Sequence, residues 1–339
     1  MIFSSHKKYL FSPKYKALFY IPWVIFLIFG CGENQDSELR VEENYQNEPK
    51  TKVVVTTTQL RDLVQFITKD RFSITSLMGP GVDPHIYKAT SKDILALSKA
   101  DLVVFHGMDL EGRLSDALKY GKKKGILTFS ATSTISHDSL IFPDEPISDE
   151  THADPHVWFD PEIWSFMVSE FTSYISEFDP ERKTFFKRNA LRLQQEIDAI
   201  ENWAMREIKK IPENQRTLVT SHDAFQYLGR AFGLKVVGLQ GISTTSEAGL
   251  GDRANLVDLI RKQNIPAIFI ESSVNPGAIE EIAKECEVVV GGKLFSDALG
   301  SGEELVQGPN GNQYYTDTWA GMMVHNINTI VSALTKEKK

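Results

Sequence analysis

Short apolar runs alternate with longer amphipathic ones from residue 52 to the C-terminus. In the first half, Lys52-Val-Val-Val-Thr-Thr-Thr58 is β-branched, a composition that suits a strand. Helical spacing follows over Leu60–Thr68, and Phe72–Met78 reads as a second strand. Thr90 and Asp93 have the spacing of a capping box ahead of a helix predicted over Lys92–Ser98. Leu102–Phe105 and Gly125–Phe129 predict two further strands. The second half repeats the pattern, with strands at Thr217–Thr220, Lys235–Leu239, Ala267–Ile270 and Val288–Val290. Helices are predicted near Ala224–Phe232, Arg253–Gln263 and Pro276–Glu285. Strands that are apolar throughout, alternating with helices, imply parallel sheets covered on both faces.

Between the halves, Pro180–Lys210 carries Phe185, Leu191, Leu193, Ile197, Ile200, Trp203 and Ile208 at spacings close to a helix stripe. Asp179 is placed to cap it, Pro180 to open it and Pro212 to close it. About 30 helical residues reach about 45 Å, the length of two stacked lobes. The expected fold is therefore α/β: two Rossmann-like lobes with parallel four-stranded sheets, joined by a long rigid helix. The expected boundaries are an N-terminal lobe at 52–179, the linking helix at 180–211 and a C-terminal lobe at 212–337.

The N-terminus is organised differently. Lys7, Lys8, Lys14 and Lys16 precede an apolar run from Ala17 to Gly30, and Cys31 follows. That order describes an export signal at 1–30, and the run, interrupted by Pro22, is short for a membrane span. Cleavage before Cys31 would leave a lipid-attachable cysteine, followed by a polar tether at 31–51; a hydrophobic anchor with an incidental cysteine is the alternative. Loss of 1–30 leaves 33 Lys and Arg against 45 Asp and Glu, a formal net charge of −12. That balance argues against nucleic acid as a partner and favours cations. Cys286 has no other cysteine but Cys31 to pair with, and is expected to be a buried small apolar residue.

Three histidines and one aspartate stand out against this frame. His85 follows Gly79-Pro-Gly-Val-Asp-Pro in a loop beyond a predicted strand. His156 closes a second Asp-Pro-His unit before a helix predicted over Pro161–Phe178, and His222 ends the strand Leu218–His222. Asp297 follows the last strand, in Gly-Lys-Leu-Phe-Ser-Asp297. Open sheets bind ligands at the carboxyl ends of their strands. Three imidazoles and a carboxylate converging there would hold a divalent transition metal. His106, at the end of Leu102–Phe105, is a candidate to support that set from behind, and Glu271 to brace the second lobe. His137 and His152 bracket an acidic loop, read as a solvated charged segment, and His325 in the last helix is read as structural.

With those segments in view, residues 50–337 resemble the solute-binding lipoproteins of zinc and manganese ABC importers. The resemblance is carried by Gly-Val-Asp-Pro-His85, Asp-Pro-His156-Val-Trp, Ser-His222-Asp-Ala-Phe-Gln-Tyr-Leu-Gly, Gly241-Ile-Ser-Thr-Thr-Ser-Glu-Ala-Gly249, Glu271-Ser-Ser-Val-Asn-Pro276 and Leu294-Phe-Ser-Asp297. It implies one Zn(II) or Mn(II) held as cargo by His85, His156, His222 and Asp297. It also implies a membrane permease with a cytoplasmic ATPase as partner, a monomer, and a lipid-anchored place on the outer face of the cytoplasmic membrane or in the periplasm. Some manganese binders of that family have Glu as third ligand, and zinc-specific members often carry a His-rich insertion before the second. This chain keeps His222 and has only His137 and His152 in the corresponding region.

No His-Glu-x-x-His motif, Gly-x-Ser-x-Gly elbow or phosphate loop occurs in the chain, so no enzyme is expected. A zinc-dependent hydrolase with Glu271 as base, or an adhesin with a structural metal, are the alternatives. Deprotonated imidazoles are needed as ligands, so binding is expected to weaken below about pH 6.

Overall fold

A computed structural model describes residues 50–118, 125–143 and 153–335. The signal at 1–30, Cys31, the tether before residue 50, and His152 with most of its acidic loop lie outside the described residues. The N-terminal sheet has the order β2-β1-β3-β4, all parallel: β1 is Thr51–Val55, β2 Phe72–Ser76, β3 Leu102–Phe105 and β4 Leu127–Ser130. Helix α1 (Thr58–Thr68) starts at Thr57, whose hydroxyl accepts from the Leu60 amide. Helix α2 (Ser91–Ser98) has the predicted capping box of Thr90 and Asp93.

The second half repeats the arrangement with a gap. Strands β5 (Thr217–His222) and β6 (Lys235–Gln240) pair in parallel, as do β7 (Ala267–Glu271) and β8 (Val289–Leu294). β5 runs beside β7, giving the same spatial order as the first sheet, but no ladder joins the two pairs among the described residues. Helices α5 (Gln226–Phe232), α6 (Leu250–Gln263) and α7 (Gly277–Glu285) lie between these strands in sequence. A hairpin of β9 (Leu305–Gln307) and β10 (Gln313–Tyr315), which the apolar pattern did not predict, precedes the last helix α8 (Trp319–Leu334). Cys286 caps the end of α7 and is half-buried against the outer core of this lobe, less enclosed than expected.

Helix α3 (Pro161–Phe178) is capped by Asp160, whose carboxylate accepts from Glu162 and Ile163. The linking helix α4 is Lys183–Ile208, entered through a 3-10 turn at Pro180–Arg182 that Asp179 caps. Its buried face runs through Phe186, Ala190, Leu193, Ile197, Ile200, Trp203, Ala204 and Ile208, while Leu191 is exposed. The buried stripe thus begins at Phe186, four residues before Ala190, and Phe185 is half-buried at its edge.

Alternation along each strand sorts the cores. Val53 and Val55, Leu102 and Val104, Leu218, Ala267 and Phe269 face inward with α1, α3, α4 and α8, forming one continuous cluster that both halves share. Val54 and Val103 face a smaller cluster with Met78, Leu97 and Leu114; Val219 and Ile268 face another with Leu256, Ile260 and Ile279. The helix therefore does more than link the lobes: it lies in the apolar layer that both are built on.

Candidate metal centre

His85, His156, His222 and Asp297 come together, each offering one ligand atom, and these atoms all lie within 4.8 Å of one another. All four are buried. Nε2 of His156 stands 3.3 Å from Nε2 of His85 and 3.4 Å from Nε2 of His222. Asp297 turns both oxygens toward the rings, Oδ1 at 3.2 Å from Nε2 of His156 and Oδ2 at 3.5 Å from Nε2 of His222. A tetrahedron with metal–nitrogen bonds of about 2.05 Å has edges of about 3.3 Å, and the four separations around His156, His222 and Asp297 lie close to that length.

The local sequence explains each placement. In both Asp-Pro-His units the aspartate accepts the amide of its own histidine: Asp83 Oδ1 from His85 N at 2.8 Å, Asp154 Oδ1 from His156 N at 2.9 Å. Proline between them fixes the turn. Asp154 Oδ1 also lies 2.7 Å from Nδ1 of His156. His156 does not stand at a strand end; it leads into a 3-10 turn, Val157–Phe159, at the entry to α3. His222 ends β5, and its amide donates to Oε1 of Glu271 at 2.8 Å, while Nδ1 lies 2.6 Å from Oε2. Glu271 at the end of β7 thus holds both backbone and ring of the neighbouring strand's histidine. Asp297 follows β8, and its Oδ2 accepts from Ser273 Oγ at 3.1 Å.

These partners set the protonation of the rings. Burial works to lower the pKa of His156, but the Asp154 and Asp297 carboxylates outweigh it and raise it to about 9. For His222 burial is likewise outweighed, by Glu271 and Asp297, and its pKa is raised well above the usual value. Asp297 is held well below the usual carboxylate range: burial opposes ionisation, and the surrounding imidazoles overcome it. For His85 burial prevails over the opposing pull of the Asp297 carboxylate and lowers its pKa to about 3.

His106 is buried at the end of β3, with Nε2 3.0 Å from Thr57 Oγ1 and its ring 5.0 Å from that of Trp158. Trp158 lies between it and the centre, with its ring 5.3 Å from His156. Its indole donates to the carbonyl of Ser296, beside Asp297, and its own carbonyl accepts from the Trp319 indole at 2.7 Å. Sequence reasoning missed Trp158 as the strut between two ligand segments; the available signal was an aromatic two residues past an Asp-Pro-His. His137 stacks on Phe142 at 4.6 Å, and His325 lies with Nε2 2.8 Å from the carbonyl of Lys293.

A family model described as the periplasmic component A of zinc-uptake complexes matches residues 53–333. The chain belongs to that family. Among its curated relatives, the manganese-binding lipoprotein MntA of Bacillus subtilis is 37% identical over 315 residues, covering 91% of this chain and 95% of MntA. The zinc-binding protein TroA of Treponema pallidum is 36% identical over 295 residues, covering 85% of this chain and 90% of that sequence. A solved structure of that periplasmic zinc-binding protein superimposes with a TM-score of 0.76 at 35% identity, covering 85% of this chain and all of the TroA chain. The parallel sheets and long joining helix are those of the family's two-lobe architecture.

Proposed function

We propose that this protein is an extracytoplasmic solute-binding lipoprotein that captures one Zn(II) or Mn(II) between its lobes and delivers it to an ABC permease. His85, His156, His222 and Asp297 are the ligands in this reading, and a modified Cys31 is the membrane anchor. The observation that carries it is three imidazole nitrogens and one carboxylate oxygen brought within 4.8 Å of each other. The carboxylates behind His156 and His222 support it too, because a ligating imidazole usually gives its other N–H to such a partner. Nitrogen-rich sites favour zinc over manganese by the general affinity order. The names of the relatives divide between the two metals, so cargo is decided by competition in solution. A hydrolase is disfavoured by Glu271: its two oxygens lie against the amide and Nδ1 of His222, on the side of the ring away from Nε2.

The deciding experiment is metal content and competitive affinity for zinc and manganese, with His222→Ala alongside. One tightly bound metal per chain, lost in the variant, is expected. Absence of stoichiometric metal from both proteins would overturn the four-ligand centre. Manganese retained against a physiological zinc level would mark a manganese importer, and zinc retention with negligible manganese a zinc importer.

A further inference from the structure

The three imidazoles are not held alike. His156 and His222 are fully buried, and carboxylate oxygens of Asp154 and Glu271 lie 2.7 and 2.6 Å from their Nδ1 atoms. Among the described residues, no carboxylate stands behind Nδ1 of His85. That residue is held through its backbone, by the amide it donates to Oδ1 of Asp83. The other oxygen of Asp83 accepts from Thr244 Oγ1 at 2.5 Å. Thr244 belongs to the segment Gly241–Gly249, between β6 and α6 on the opposite half of the molecule. That segment is exposed apart from Ile242, Thr244 and Ala248, which are half-buried. One carboxylate therefore ties the turn bearing His85 to a loop of the other lobe.

Elsewhere the two halves are joined by many contacts that do not involve this loop. Gln59 and Trp158 both donate to the Ser296 carbonyl, the Leu299 amide donates to Thr58, and the Trp319 amide to Asp62. The shared apolar core lies beneath them. Parting the lobes would break all of these together, whereas freeing the His85 turn from the far lobe's loop breaks one hydrogen bond. Segments with few buried contacts are the ones that open at least cost.

We propose that Thr244, acting through Asp83, is a latch that positions His85, and that His85 is the ligand that lets go first when the metal leaves. The inference rests on the four-ligand reading given above. Thr244 is a positioning residue: it touches Asp83 and not the metal. Because the loop is accessible from outside, a partner that displaces it loosens His85 without separating the lobes.

The test is the rate at which the full-length chain, purified in detergent and loaded with Zn(II), gives its metal to an excess of a chromogenic chelator. Thr244→Val removes the hydroxyl at nearly constant shape, and Thr244→Ser keeps it. Loss of one hydrogen bond to a charged group predicts about tenfold faster transfer for Thr244→Val. Transfer from Thr244→Ser, which keeps the hydroxyl, should stay within about twofold of the parent, and its metal-free melting temperature within about 1 °C. Equal rates in parent and Thr244→Val would overturn the latch, as would a Thr244→Ser rate as fast as that of Thr244→Val. A lowered melting temperature with unchanged transfer would overturn it as well, leaving Thr244 a structural role. If the parent holds no stoichiometric zinc, the four-ligand centre itself fails, an outcome distinct from the others.

Discussion

Two protons have to leave before a dication can take these imidazoles. With His156 raised to about 9 and His222 raised well above its usual value, both rings are protonated near neutral pH in the metal-free protein. His85, lowered to about 3, is not. Entry of M(II) with loss of two protons leaves the buried charge unchanged, which avoids the cost of an uncompensated ion in a dry site. Protons compete with metal at every pH below the raised pKa values, so apparent affinity climbs with pH through and above neutrality. The sequence alone placed that decline below about pH 6; the carboxylates at Nδ1 move it upward. Calorimetric titration at pH 7.5 in buffers of different ionisation enthalpy should report about two protons released per metal. Release of none would show that the rings are already neutral. Glu271→Gln should weaken zinc binding about 10- to 100-fold while reducing proton release by about one, because the same carboxylate that orients His222 raises its pKa. An affinity unchanged in that variant would separate Glu271 from the centre.

Elements place these residues through close backbone approach. Gly238 on β6 pairs with Thr220, and a Cβ there would lie 2.5 Å from the Asp223 nitrogen and 2.7 Å from the His222 carbonyl carbon. Both atoms are main chain, so β5 must shift to admit it. Gly238→Ala is expected to cost about 1–3 kcal/mol of stability and to weaken metal binding by displacing His222. At Gly241 nothing lies within 4 Å of the same Cβ, and Gly241→Ala should change neither. Thermal melting and zinc competition on both variants check this, and equal behaviour of the pair would refute it. The eight parallel strands were legible because each is a short run rich in β-branched or apolar residues next to a turn. The four clustered residues were legible because two share the Asp-Pro-His unit and the others stand at or just past strand ends. What escaped was tertiary. The hairpin strands Leu305–Gln307 and Gln313–Tyr315 are too short to show alternation. The break between β5 and β7 was also invisible: His222 gives its amide to the side chain of Glu271 rather than to a neighbouring carbonyl. Thr244 and Asp83 are 161 residues apart, and no local pattern links them.

At the scale of the whole molecule, the question is how far the lobes move when metal arrives. A helix of 26 residues, Lys183–Ile208, spans about 39 Å at 1.5 Å per residue. It is clamped by α1 of the first half and by α5 and α8 of the second. Its buried stripe shares one cluster with the inner faces of both halves, including stacked Trp164 and Trp319 with centroids 6.1 Å apart. Hinge closure of large amplitude needs a few residues free to absorb changes in φ and ψ, and a continuous helix buried along one side offers none. Closely packed interiors resist continuous deformation, so the response to metal is confined to side chains and loops at the cleft. Small-angle scattering of the metal-free and zinc-loaded chain should give radii of gyration within about 1 Å of each other, as in complexes whose partners are already organised. A contraction of several ångströms on loading would show that the shared core parts and re-forms, and would transfer the control of release from the His85 turn to the long helix.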